Sequence, residues 1–201
     1  MRDPENVRQL ITLPIDYIGF IFYDKSPRYV GPNLHEDILT ALKDSHIKKT
    51  GVFVDMPADQ LLERARVNEL DVIQCHGDET PDYCVKIKEK GYTVIKAFRI
   101  GNEFDVRILN NYSGSCDYFL FDTYTKSYGG SGEQFDWNVL KKYEIRNHVF
   151  LSGGIDLDDA ERIRTMSWLN IHAVDVNSRF ETAPGIKNID KIESFIKAIK
   201  K

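Results

Sequence analysis

Seven short apolar runs alternate along this chain with stretches of helical periodicity, and that alternation leaves few folds open to it. The runs are Tyr17–Phe22, Thr50–Asp55, Asp71–His76, Thr93–Ile100, Tyr118–Thr123, Val149–Ser152 and Ala173–Asn177, with the composition of buried strands. Between and after them, Asp59–Asn68 brings Leu61, Leu62 and Ala65 onto one face, and the last stretch aligns Ile192, Phe195, Ile196 and Ile199 at helical spacing. Asp3-Pro4 supplies an N-cap followed by proline at the first helical position, and Gly91 closes a helix that starts near Pro81. Strands separated by single helices pair in parallel through right-handed crossovers. No linker or low-complexity tract divides the 201 residues, so a single domain over residues 1–201 is expected.

The count is uneven: seven strands, eight helices, and a helix first. An open doubly wound sheet can stop at seven strands, whereas a (β/α)₈ barrel needs eight. The short, even units and the glycine-rich loops late in the chain favour an α/β fold of the (β/α)₈ TIM-barrel type with a strand missing at its front.

A net charge of −4 and a pI near 5.8 give no general attraction to nucleic acid or anionic membranes, so neither is expected as a partner. Cys75, Cys84 and Cys116 are odd in number and lack CxxC spacing, which argues against a disulfide framework and a thiolate zinc site and fits a reducing cytoplasm. The polar start Met1-Arg2-Asp3-Pro4-Glu5-Asn6 has no secretory apolar stretch, and apolar residues nowhere run long enough for a membrane span. His35, His46, His148 and His172 have no metal-ligand spacing, and no Rossmann or Walker glycine motif occurs, so no metal is expected.

The segment with most chemistry is Tyr118-Phe119-Leu120-Phe121-Asp122-Thr123, followed by Gly129-Gly130-Ser131-Gly132. Asp122 stands where a buried strand ends, and in parallel α/β folds that end carries the chemistry. The glycine loop is either a surface loop or a cradle of backbone N–H groups for phosphate. Gly153-Gly154, ahead of Asp158-Asp159, reads as a tight turn or as a second phosphate contact near a helix N-terminus. Alternation sends Asp175 and Asn177 to one face, with Ser178 following, and a buried Asp175 needs a hydrogen-bond partner or a ligand. Gln74 and His76 share a face that Cys75 opposes. His76 is a base by its ordinary pKa, or a residue that orients its neighbours. Arg28, in Lys25-Ser26-Pro27-Arg28-Tyr29, is a solvated loop charge or a bidentate ligand for carboxylate or phosphate.

Taken in order, Asp3-Pro4-Glu5-Asn6, Gly19-Phe20-Ile21-Phe22 with Ser26-Pro27-Arg28-Tyr29, Gly51-Val52-Phe53-Val54, Gln74 with His76-Gly77-Asp78-Glu79, Phe121-Asp122-Thr123, Gly129-Gly130-Ser131-Gly132 with Phe135-Asp136-Trp137, Leu151-Ser152-Gly153-Gly154, Asp175-Val176-Asn177-Ser178, and Glu181 with Pro184-Gly185 resemble phosphoribosylanthranilate isomerase over almost the whole chain. The resemblance implies a cofactor-free barrel, monomeric or homodimeric, in tryptophan biosynthesis. It would convert N-(5-phosphoribosyl)anthranilate to 1-(2-carboxyphenylamino)-1-deoxyribulose 5-phosphate by an Amadori rearrangement. By position, Asp122 matches the general acid that protonates the furanose oxygen. Arg28 would hold the anthranilate carboxylate, with His76 and Asp175 also at the substrate, and Gly130, Ser131, Gly132, Gly153, Gly154, Asn177 and Ser178 would hold the phosphate. An acid with an ordinary carboxylate pKa is mostly ionised at neutral pH, so the role requires a raised pKa or a substrate-induced shift.

Two departures stand out. Members of that family begin with a strand ending in Cys-Gly, whose cysteine is the general base, and this chain starts after it; Met1 then reads as an internal methionine of a longer protein. The expected loss is on the order of eight residues, leaving two unpaired edges, lower stability and little or no isomerase activity. Arg179 stands where the family commonly has glycine. A non-catalytic phosphate-ligand-binding barrel is the alternative.

Overall fold

The computed structural model describes residues 1–101, 104–124 and 135–200. Its main sheet has seven parallel strands in sequence order: β1 (Tyr17–Ile21), β2 (Lys48–Phe53), β3 (Val72–Cys75), β4 (Thr93–Ile100), β5 (Tyr118–Thr123), β6 (His148–Leu151) and β7 (Ile171–Val174). Strand order equal to chain order is the order of a barrel wall. The helices α1 (Pro4–Leu10), α2 (Glu36–Leu42), α3 (Ala58–Val67), α4 (Pro81–Lys88), α5 (Leu109–Tyr112), α6 (Ala160–Arg164) and α7 (Ile189–Ile199) lie among the strands. Among the described residues between β5 and β6, the helical segment is 3₁₀, Trp137–Lys142.

Side-chain alternation sorts the apolar residues into two layers. Val72, Ile95, Ala97, Leu120 and Phe150 form a small cluster with Tyr17, Tyr118 and Ala173, which is the barrel interior. Their neighbours in sequence, such as Ile73, Val94, Phe119 and Val149, join the larger layer between sheet and helices. The caps follow the sequence: Asp3 Oδ1 accepts from Asn6 N at 2.7 Å, and Gly91 takes φ 88° just past α4.

Several boundaries move. The apolar runs ending at Asp55 and Asn177 give strands ending at Phe53 and Val174, and the helix expected to open at Asp158-Asp159 is capped two residues earlier by Asp156, which Asp159 reciprocates. A short antiparallel hairpin, β8 (Glu181–Ala183) and β9 (Ile186–Lys187), was not legible; it turns at Gly185 (φ 84°). Asn6 locks it to α1, donating from Nδ2 to Lys187 O at 2.9 Å and accepting from Lys187 N at 2.7 Å.

The sheet curls until its first and last strands meet at the base. Tyr17 and Phe150 stack edge to face with ring centroids 5.0 Å apart, and Tyr17 Oη lies 2.8 Å from His172 Nε2. A bulge in β7 turns His172 into this cluster, because Val149 pairs with Ile171 while Phe150 pairs with Ala173. Above the base, β1 and β7 are both edges among the described residues, and a seam runs between them.

The Met1 amino group sits on that seam and donates to Gly19 O at 3.0 Å. Burial, then the Lys187 charge, pulls its pKa from the ordinary 8.0 to about 5. A base with a depressed folded pKa makes the unfolded chain bind more protons in between, so this group's contribution to stability rises from pH 5 to pH 8, by at most about 4 kcal/mol. N-terminal acetylation keeps the N–H donor and removes the charge. Acetylated and free chains are therefore expected to differ in urea midpoint at pH 5 and to converge near pH 8.

Candidate functional site

Asp122 lies near the C-terminal end of β5, its side chain about one-fifth exposed. Oδ1 accepts from Thr123 N at 2.8 Å, and Oδ2 lies 3.3 Å from His76 Nε2. The Gln74 amide Nε2 is 2.7 Å from His76 Nδ1. With the amide nitrogen as donor there, Nδ1 is the acceptor and the ring proton is on Nε2, the ring nitrogen 3.3 Å from Asp122 Oδ2. The shared face of Gln74 and His76 thus serves one purpose, and Cys75 packs behind the sheet as expected.

The turn after β6 closes against the same carboxylate. Gly153 takes φ 90°, where a Cβ would lie 2.7 Å from Thr123 N, collide with Thr123 Oγ1 and come within 3.3 Å of Asp122 Oδ1. Gly153→Ala is expected to cost about 1–3 kcal/mol, through left-handed strain and the displaced Thr123, as a lowered urea midpoint.

Across the mouth, Asp175 continues the ladder beyond β7, its N–H donating to Leu151 O at 2.8 Å. Ser152 Oγ donates to its Oδ2 at 3.3 Å. Burial raises the Asp175 pKa; the Lys187 charge opposes that and the Asp122 charge adds to it. Lys187 Nζ is itself buried, which lowers its pKa, yet it spends three donors on Asn177 Oδ1 at 2.8 Å, Val176 O at 3.3 Å and Glu181 Oε1 at 3.3 Å. That arrangement suits an ammonium.

Arg28 is not the open loop cation that one sequence reading allowed. It is 8% exposed, and Glu181 binds its guanidinium edge: Nε lies 2.9 Å and Nη2 2.7 Å from Oε2. Burial alone would raise the Glu181 pKa, but the Arg28 hydrogen bonds and the Lys187 charge leave it below the ordinary value. Arg179 Nη1 faces Asp156 Oδ2 at 3.3 Å.

One cavity of about 900 Å³ takes in the mouth and the seam, and Arg28, His76, Asp122, Asp175, Gly153-Gly154 and Asn177-Ser178 all border it. Gly130, Ser131 and Gly132 lie outside the described residues. Sequence reading did not single out Gln74 as a hydrogen-bonding partner, Lys187, or Glu181 as the mate of Arg28. The only signals were parity for Gln74 and the Glu181…Pro184-Gly185 pattern. No cysteine borders the cavity.

The family model described as PRAI, N-(5'phosphoribosyl)anthranilate (PRA) isomerase, matches residues 1–198. An N-(5'-phosphoribosyl)anthranilate isomerase of Parabacteroides distasonis is 42% identical over 199 residues, 99% of this chain and 90% of the relative. The crystal structure of the phosphoribosyl anthranilate isomerase of Thermotoga maritima superposes with a TM-score of 0.86 at 35% identity, covering 100% of this chain and 95% of that one. A phosphoribosyl anthranilate isomerase in complex with reduced 1-(o-carboxyphenylamino)-1-deoxyribulose 5-phosphate gives a TM-score of 0.82 at 32% identity, with 100% and 95% covered.

Proposed function

This chain belongs to the N-(5'-phosphoribosyl)anthranilate isomerase family, enzymes of tryptophan biosynthesis, and from that premise we propose that the mouth of its barrel is the isomerase site, with Asp122 as the acid. The observation that carries the reading is the placement of Asp122 at the mouth end of β5, on the cavity, with Oδ1 accepting from Thr123 N and the His76 ring 3.3 Å from Oδ2. In the opening step Asp122 gives its proton to the furanose ring oxygen. The C1–O bond breaks and the anilino nitrogen lone pair forms the C1=N bond; because the Thr123 N–H favours the carboxylate left behind, the proton that Asp122 gives must be held there by the bound substrate. A base then removes the C2 proton to give the enolamine, which becomes the C2 ketone when C1 takes up a proton and the C2 hydroxyl loses its own.

Binding falls to the rest of the cavity. Arg28, oriented by Glu181, turns its remaining guanidinium donors to the anthranilate carboxylate, and Asp175 completes the polar wall at that end. Gly153-Gly154, Asn177-Ser178 and the Gly130-Ser131-Gly132 loop take the phosphate, a role the positive φ angles of Gly153 and Gly154 suit.

The base is expected from an eighth strand seated in the seam between β1 and β7. Three features support such a strand: β1 and β7 are the two edges of the sheet among the described residues, with only Met1 N and the Tyr29 bridge at Ile21 along β1; the seam has an apolar lining; and the buried Thr50 Oγ1, which borders the same cavity, has no hydrogen-bond partner among the described residues. The direct test is incubation with N-(5-phosphoribosyl)anthranilate and chromatographic separation of the ketose product. Conversion above the uncatalysed rate supports the reading. Saturable binding of the reduced ketose analogue without turnover, even with the seam filled, would favour the non-catalytic barrel.

A further inference from the structure

We propose that Lys96 is a positioning residue for His76, acting through a buried ion pair with Glu79 that grips the backbone on both sides of the imidazole-bearing residue. Lys96 lies on β4 with its side chain on the helix side of the sheet, where it is 2% exposed. A lone ammonium there would be costly, and this one has three acceptors. Nζ donates to Gly77 O at 2.6 Å, Glu79 Oε2 at 3.0 Å and Cys75 O at 3.3 Å. Cys75 and Gly77 flank His76, so one cation fixes both neighbouring carbonyls.

Glu79 holds the same turn from its other side. Its carboxylate accepts from Gly77 N at 2.9 Å and from Asp55 N at 2.9 Å, and its carbonyl accepts from Tyr112 Oη at 2.9 Å. The His76 N–H is bound to Phe53 O at 2.8 Å. The Cys75 and Gly77 carbonyls and the His76 and Gly77 N–H groups are therefore tied to β2, to Lys96 on β4 or to Glu79, and the imidazole they hold lies against Gln74 and Asp122.

An ion pair buried this deeply is a poor way to gain stability, since matched neutral side chains of similar volume often do as well or better. It is a good way to hold a turn at a fixed distance from a strand end. The small ring-to-carboxylate separation, 3.3 Å, is sensitive to shifts of that turn.

The test is made on the full chain by NMR of the labelled His76 ring and needs no substrate. In the native background, Asp122→Asn should move the His76 ring signals. In Lys96→Met/Glu79→Gln, which removes both charges and keeps the volumes, the same substitution should move them at most half as far. Lys96→Arg, which keeps both charges but replaces the compact ammonium with a planar fork, should give an intermediate loss and serves if the double variant does not fold. An undiminished response in a folded variant, whatever its melting temperature, makes the pair merely structural and overturns the proposal; so does a native His76 indifferent to Asp122→Asn. The catalytic meaning rests on Asp122 being the acid, but failure of that reading would appear in turnover and leave this coupling intact.

Discussion

Asp122→Asn is expected to lower kcat by about 10²–10⁴-fold while changing KM by only a few-fold, the range that a positioned general acid contributes. Asparagine keeps the shape of the side chain, and its carbonyl can still accept from Thr123 N, the contact made now by Asp122 Oδ1 at 2.8 Å. What it lacks is a proton to give to the ring oxygen as the C1–O bond breaks. His76→Asn should be milder, because His76 stabilises the carboxylate at one remove and transfers no proton in the step described. Kinetics at saturating substrate, in protein with the seam filled, separate the two. Near-native kcat in Asp122→Asn would remove the assignment, and a fall confined to KM would make Asp122 a binding group.

Much of this site could be read from local pattern. Period-two alternation is enough to set Gln74 and His76 on the inner face with Cys75 behind them, and the end of an apolar run is enough to bring Asp122 to the mouth. Features fixed by contacts between distant segments were silent. Arg28 and Glu181 are 153 residues apart in sequence, and neither run of residues announces the other. Lys96 interrupts an apolar strand, which by pattern alone argues against burial; the Glu79 carboxylate and the carbonyls of Cys75 and Gly77 explain it. The hairpin of Glu181–Ala183 with Ile186–Lys187 is too short for periodicity to register, and the bulge at His172 breaks the alternation that would have sent its ring elsewhere.

Filling the seam is expected to change this protein more than any single substitution. The Met1 nitrogen lies 3.0 Å from Gly19 O on the β1 edge, so a strand added ahead of it would enter at the base, part the Tyr17–His172 contact and move Met1 toward the mouth. An added strand of about six residues ending in Cys-Gly would gain ladder hydrogen bonds on two sides and bury two or three apolar side chains. After ordering entropy, that is worth on the order of 5 kcal/mol, or about 10 °C or more in Tm. It also turns the Met1 ammonium into a peptide N–H, removing a charge whose burial costs most below pH 8. On the proposed mechanism, the same extension with serine in place of its cysteine should recover the Tm and leave turnover about 10²–10⁴-fold lower, since that mechanism takes the cysteine as its base. A seam that stays unoccupied, with no rise in Tm from either extension, would refute the eighth strand. Full activity from the serine version would move the base to another residue of the cavity.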